Sequence, residues 1–144
     1  ELDELAEKIN WKHKNDEWKP IIYLKRHFSH EEIKPFYRIA DICIVSSLHD
    51  GMNLVAKEYI AAKNDLNGSL ILSRFTGASK ELTDAIQINP YSTEEFADSI
   101  KLAADMPMPE KKKRMENMRK IIADSNIYKW AGSIISDLAT IKKA

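Results

Sequence analysis

Ile42-Cys43-Ile44-Val45-Ser46-Ser47-Leu48-His49-Asp50-Gly51-Met52-Asn53-Leu54-Val55-Ala56-Lys57-Glu58-Tyr59 is the stretch from which the fold is read. Its opening run is short, apolar and β-branched, the composition of a buried strand. A polar turn with Asp50 and Gly51 follows. Leu54, Val55, Tyr59 and Ala62 then recur at helical spacing, and the helix should end near Lys63. Strand, tight turn and helix in this order put the turn at the carboxyl end of a sheet, where open α/β sheets bind ligands. A helix start offers unpaired backbone N–H groups and a positive dipole end. Gly51 carries no Cβ, so a ligand can approach its backbone. The stretch therefore reads as a phosphate or sugar-phosphate site.

Two carboxylates extend that reading. Asp50 stands at the mouth of the turn, placed to accept bonds from sugar hydroxyls, or simply to cap the helix. Glu58 lies one turn past Leu54, and helical side chains tilt toward the amino end. Its carboxylate can reach a diol such as a ribose beside a phosphate at the helix start, or it is a solvated helical Glu. Spacing alone does not separate these alternatives.

Moving outward, 144 residues suffice for one domain with a core and are too few for two. Lys+Arg 22 balance Asp+Glu 22, which argues against a nucleic-acid or membrane-surface partner as the main role. The single cysteine, Cys43, cannot form an internal disulfide and reads as a buried, inert thiol, fitting a reducing, cytoplasmic setting. No signal peptide or long apolar span is evident, so a soluble protein is expected. The chain opens on Glu1 rather than Met, which suggests a piece of a longer protein.

Leu2, Leu5, Ala6 and Ile9 give a first helix an apolar stripe, ending near Asn15, with Trp11 and Trp18 packed near its end. Ile21-Ile22-Tyr23-Leu24 reads as a first strand. Ser29-His30-Glu31-Glu32 is a capping box, and its helix should run to about Ala40 with Ile33, Phe36 and Ile39 inward and a bend at Pro35. Ser69–Ser73 is the third strand and Ala85–Ile88 a short fourth, with a short helix, about Ala78 to Leu82, between them. Gly77 ahead of it either starts that helix or lets backbone approach a ligand. Ser92-Thr93-Glu94-Glu95 is a second capping box, heading a helix to about Asp105 that buries Phe96, Ile100 and Ala103. Pro109 suits a helix start. The next helix turns Met115, Met118, Ile121 and Ile122 inward, and Ser125-Asn126 breaks it. A last helix, about Ile127 to Lys142, offers Trp130, Ile134, Leu138 and Ile141. Strands alternating with helices imply an α/β fold with a small parallel sheet of about four strands.

Several chemistries find no motif. Gly-x-Gly-x-x-Gly, the P-loop pattern and the Gly-x-Ser-x-Gly elbow are all missing. His13, His27, His30 and His49 lack zinc-type spacing, so no metal is expected. A receiver-like signalling domain needs paired acids ahead of its phosphorylatable Asp, and none precede Asp50.

Asp50-Gly51-Met52-Asn53-Leu54-Val55-Ala56-Lys57-Glu58-Tyr59 resembles the donor-site signature of the trehalose-6-phosphate synthases, two-lobed retaining glycosyltransferases of the GT-B type. Tyr23-Leu24 with His27-Phe28, Phe36-Tyr37-Arg38 with Ala40-Asp41, Gly77-Ala78 with Glu81-Leu82, and Asn89-Pro90-Tyr91 fall in the family's order and spacing. The resemblance runs from about Trp18 to the end. It implies a three-layer Rossmann-like domain with helices on both faces, in which residues 1–144 form a single, incomplete carboxyl-terminal nucleotide-sugar-binding lobe.

The resemblance also assigns roles. The N–H groups of Leu54 and Val55 would serve the donor's phosphates. Asp50, the catalytic candidate, would hold glucosyl hydroxyls with the backbone of Gly51, Met52 and Asn53. Glu58 would hold the ribose, and Phe28 would neighbour the base. The implied substrate is UDP-glucose with no cofactor, and the implied partner is an amino-terminal lobe that carries the acceptor site; glucose 6-phosphate is the family's acceptor. Strands that bring an Arg and a Lys to the diphosphate have no match here, so the chain alone should be inactive. His49 stands where bacterial members commonly have Arg. With the other lobe absent, the last helix's apolar face is expected to be exposed or to mediate self-association. A non-catalytic regulatory or interaction module of synthase-like fold is the competing reading.

Overall fold

The computed structural model describes residues 1–125 and 127–141, and of residue 127 only the backbone. The chain forms two compact units, Glu1–His30 and Glu31–Ala144.

In the first unit, helix α1 (Leu2–His13) is followed by irregular chain. Asn10 ties the two together. Its amide accepts from the Ile21 N–H at 2.8 Å and donates to the Ile21 carbonyl at 2.9 Å. Lys25 pairs with Asp3. Ile21-Ile22-Tyr23-Leu24 is not a strand, contrary to its composition. A strand exists only through a neighbour's hydrogen bonds, and the polar groups of Ile21 are spent on a side chain. Trp11 and Trp18 are 79% and 59% exposed rather than packed at the helix end.

In the second unit, three strands form a parallel sheet in the order β1 (Ile42–Val45), β2 (Ser69–Ser73), β3 (Ile86–Ile88). The expected sheet of about four strands is thus three. β2 is central and every residue in it is buried, whereas β1 is an edge strand with Ile44 still 41% exposed. The period-two alternation of β2 serves two cores. Leu70 and Leu72 join Val45, Ala56, Tyr59, Ile60, Met115 and Met118 on one side. Ile71 joins Ile86, Ile88, Ala103 and Met106 on the other. Helices therefore cover both faces, the three-layer arrangement read from the sequence.

Helix α2 (His30–Ile39) contains Pro35 and presents a different face than its pattern suggested. Tyr37, with Ala40 just beyond the helix, packs on the first core, while Phe36 and Ile39 are 46% and 76% exposed. Helix α3 (Leu54–Ala62) buries Ala56, Tyr59 and Ile60. Leu54 and Val55, expected on its apolar stripe, lie outside it because they form the first turn at the strand-end rim. The helix after β2 is a single 3₁₀ turn, Gly77–Lys80. Helix α4 (Thr93–Asp105) begins with Ser92 Oγ accepting from the Glu95 N–H at 3.3 Å. Its reciprocal partner is absent: Glu95 accepts instead from Asn89 N–H and Arg74. Ser99 and Ala103 are its buried residues, and Ile100 is 38% exposed.

Helix α5 (Met108–Asp124) buries Met115 and Met118, with Ile121 and Ile122 alongside. Its Arg119 guanidinium donates to the carbonyls of Ile60 and Ala61 at 2.8 and 2.9 Å, at the negative end of α3. Helix α6 (Ile127–Thr140) leaves Trp130, Ile134 and Leu138 38–62% exposed, with Ile141 beyond it also exposed. Asn126, half of the expected break, and Lys142, the expected end, lie outside the described residues.

Candidate functional site

The loop from Asp50 to Asn53 is built by its own hydrogen bonds. Asp50 Oδ1 accepts from the N–H groups of Met52 and Asn53, each at 3.0 Å, and Oδ2 accepts from the Asn53 side chain at 2.9 Å. The Met52 N–H, then the Asn53 side chain, lower the Asp50 pKa below its ordinary value. Asp50 is thus the turn's organiser. The helix cap is Asn53, whose Oδ1 accepts from Ala56 N–H at 2.9 Å.

Asn53 sits at φ 71°, one of two non-glycine residues with positive φ among those described. Asn tolerates that region better than most residues, and strained backbone of this kind clusters at functional sites. The sequence carries the signal, since Asn is both a favoured cap and a favoured left-handed residue, but Asp50, three positions earlier, is an equally favoured cap type and the competing candidate.

The loop is also stitched to the one after β2. Asp50 N–H donates to the Phe75 carbonyl at 3.3 Å, Gly77 N–H to the Asp50 carbonyl at 2.9 Å, and Ala78 N–H to the Met52 carbonyl at 2.9 Å. A Cβ on Gly77 would lie 2.0 Å from the Gly51 carbonyl oxygen. Gly77 therefore does more than start a helix: it lets two loop backbones touch.

After this internal pairing, a few polar groups remain for a ligand. The N–H groups of Leu54 and Val55 meet no acceptor among the described residues, and the two residues are 60% and 43% exposed. They sit at the positive end of α3. A Cβ on Gly51 would meet nothing within 4 Å, so the fold itself does not require glycine there. Two concavities flank the loop. One, of about 450 Å³, runs along the end of β1 and is lined by Val45, Ser46, Ser47, Asn53 and Val55 among others. The other, of about 400 Å³, is lined by Gly51, Met52, the Lys57–Glu81 ion pair and α6 residues including Trp130.

Glu58 lies on α3 one turn beyond Leu54, half-buried, with Oε2 accepting from the Tyr37 hydroxyl at 3.2 Å. Seven of the eight expected site residues thus share one loop and one helix. The eighth, Phe28, is in the first unit, with the Arg26 guanidinium over its ring at 4.1 Å. Among the described residues, no group of three or more His, Cys, Asp or Glu could hold a metal ion, and no helix is long and apolar enough to cross a membrane.

A parallel α/β sheet with helices on both faces, its edge strand leading into the amides of Leu54 and Val55 beside a trough, defines a Rossmann-like domain with a candidate ligand site at its strand ends. The comparisons narrow the class. The family model of glycosyltransferase family 20 matches residues 1–140. The trehalose-6-phosphate synthase of Enterobacter sp. (strain 638) is 39% identical over 139 residues, covering 96% of this chain and 29% of the relative. A solved Escherichia coli structure described as bound with UDP-2-fluoro glucose superposes with a TM-score of 0.91 at 39% identity, over 98% of this chain and 32% of that one. An α,α-trehalose-phosphate synthase of Burkholderia xenovorans, in complex with glucose-6-phosphate, gives 0.90 at 34% identity, over 96% and 31%. The chain belongs to glycosyltransferase family 20. It spans about 30% of the length of the curated relatives it matches.

Proposed function

We propose that this chain forms the donor-binding face of a trehalose-6-phosphate synthase-like glycosyltransferase that transfers glucose from UDP-glucose to a sugar phosphate. The observation that carries this reading is the pair of unclaimed N–H groups on Leu54 and Val55, at the positive end of α3 and beside the trough at the end of β1. A diphosphate fits there, because amides and helix dipole both favour an anion. Glu58, one turn further on, takes the ribose hydroxyls.

The glucosyl hydroxyls fall to Gly51 and Asp50. The amides of Met52 and Asn53 are already spent on Asp50, and the carbonyl of Met52 on Ala78. Gly51 meets no hydrogen-bond partner at either backbone polar group among the described residues. Asp50 accepts three donors of the roughly four a carboxylate can take, so its part is to hold the loop in shape and offer one remaining lone pair. Residues 1–144 belong to one lobe in this reading, with the acceptor held by the rest of a full-length synthase.

The direct test is titration of UDP and UDP-glucose into the chain with backbone amide shifts as readout. Perturbations centred on Asp50 to Glu58 support donor binding. A silent spectrum, or shifts elsewhere, would sink it and favour a non-catalytic module of the same fold.

A further inference from the structure

We propose that Tyr37 is a positioning residue for the nucleoside end of the donor, holding the Glu58 carboxylate in the orientation that receives the ribose hydroxyls. This rests on the reading of Glu58 given above. A glutamate on a helix surface has three rotatable bonds and loses substantial freedom when a ligand fixes it. Prior fixation of that side chain would make the ribose contact tighter without adding any contact to the ligand.

Tyr37 is suited to this because its hydroxyl is itself anchored. The ring packs against the core formed by Val45, Tyr59, Leu70 and their neighbours. It meets Tyr59 edge-on, with centroids 6.3 Å apart and planes at 77°. Tyr59 is fully buried and donates its own hydroxyl to the Ala40 carbonyl at 3.3 Å. A rigid core thus delivers the Tyr37 oxygen to Glu58 Oε2 at 3.2 Å, from α2 across to α3. Burial and the adjacent Glu58 charge push the Tyr37 hydroxyl up to about 12, so it stays a donor at neutral pH. Packing needs only the ring; Phe would fill the core as well. The hydroxyl donates to Oε2, one of the two oxygens of the Glu58 carboxylate.

The test compares the wild-type chain with Tyr37→Phe and Glu58→Gln. In the ligand-free protein, Glu58 Hα–Hβ couplings should report a single rotamer for wild type and averaging for Tyr37→Phe. In titrations, Tyr37→Phe should weaken UDP by roughly three- to tenfold. Binding of a uridine diphosphate lacking both ribose hydroxyls should be unmoved, which a general loss of structure would not produce. An unaveraged Glu58 rotamer, or equal losses for both ligands, overturns the role of Tyr37 even where Glu58→Gln confirms the ribose contact. Wild-type binding that ignores the ribose hydroxyls, or no effect of Glu58→Gln, removes the Glu58 reading and this inference with it.

Discussion

Gly77 and Gly51 meet backbone to backbone, and only one of them is glycine for that reason. A Cβ on Gly77 would stand 2.0 Å from the Gly51 carbonyl oxygen and 2.9 Å from its carbon, whereas a Cβ on Gly51 would stand in open space. The first glycine builds the loop; the second leaves the loop's outer side clear.

Gly77→Ala is therefore expected to destabilise the chain by about 1–3 kcal/mol, since the obstacle is backbone and cannot swing away. It should also blunt UDP-glucose binding by displacing Gly51. Gly51→Ala should leave the urea midpoint close to wild type and still lose affinity for UDP-glucose, because its methyl projects where the sugar approaches. Equal midpoints for the two variants would contradict this division of labour.

Asn53 offers a second paired test. It combines a side-chain cap on Ala56 with a left-handed backbone at φ 71°. Asn53→Ala loses the cap, about 1 kcal/mol, and adds the strain of a Cβ-bearing residue without local polar compensation, about 1–2 kcal/mol. Asn53→Gly loses the cap but relieves the backbone, so it should be clearly the milder change. Denaturant unfolding of the two variants decides it; an Ala variant as stable as the Gly variant would show that φ carries no strain.

Acid should loosen the same loop. The folded-state pKa of Asp50 is lowered, first by the Met52 N–H and next by the Asn53 side chain. A depressed carboxylate contributes stability that is fully present above its unfolded-state pKa and is lost as pH falls through the folded value. Amide exchange at Met52 and Asn53 should therefore accelerate relative to β2 as pH drops below the ordinary aspartate range. Asp50→Asn should remove that pH dependence, and an unchanged acid limb in the variant would assign it to another group.

These details bear on what the sequence could disclose. β2 was legible because Leu70, Ile71 and Leu72 form an apolar run bracketed by Gly68 and Arg74, and burial on both faces needs no further partner than the helices the chain supplies. The α4 start was legible because a Ser92 cap is a local bond. Ile21–Leu24 misled because pairing is non-local: the composition of a strand does not provide its neighbour. The faces of α2 and α3 misled for a related reason. Periodicity finds a stripe but not the element it meets, so Ile39 and Val55 looked as apolar as Tyr37 and Ala56. At the site, the helix start and the place of Glu58 one turn along it could be read from spacing, though not its role, while the Gly77–Gly51 contact joins residues 26 apart and needed the structure.

Cys43 extends the argument to reactivity. It lies on β1, and burial pushes its thiol up to about 11. The thiolate is the reactive form, so a disulfide-exchange reagent at neutral pH should label native protein far more slowly than unfolded protein. Rapid native labelling would mean that the edge strand opens readily.

The trough along β1 bears on catalysis as well as on binding. Its lining runs through Ile44, Val45, Ser46, Ser47, Leu48, Asn53 and Val55, and it contains hydroxyls, amides and apolar groups but no Lys or Arg. Amide donors suffice to hold a diphosphate. Expelling one as a leaving group is more demanding, because charge develops in the transition state and each missing preorganised donor there costs about 10²–10³ in rate. The chain by itself is accordingly expected to bind UDP-glucose while releasing no UDP above the uncatalysed background when glucose 6-phosphate is added. Coupled UDP-release assays on the 144-residue chain measure this. Sustained turnover would show that the amides of Leu54 and Val55 stabilise the leaving diphosphate without any cation, and that the acceptor finds its place on this lobe alone.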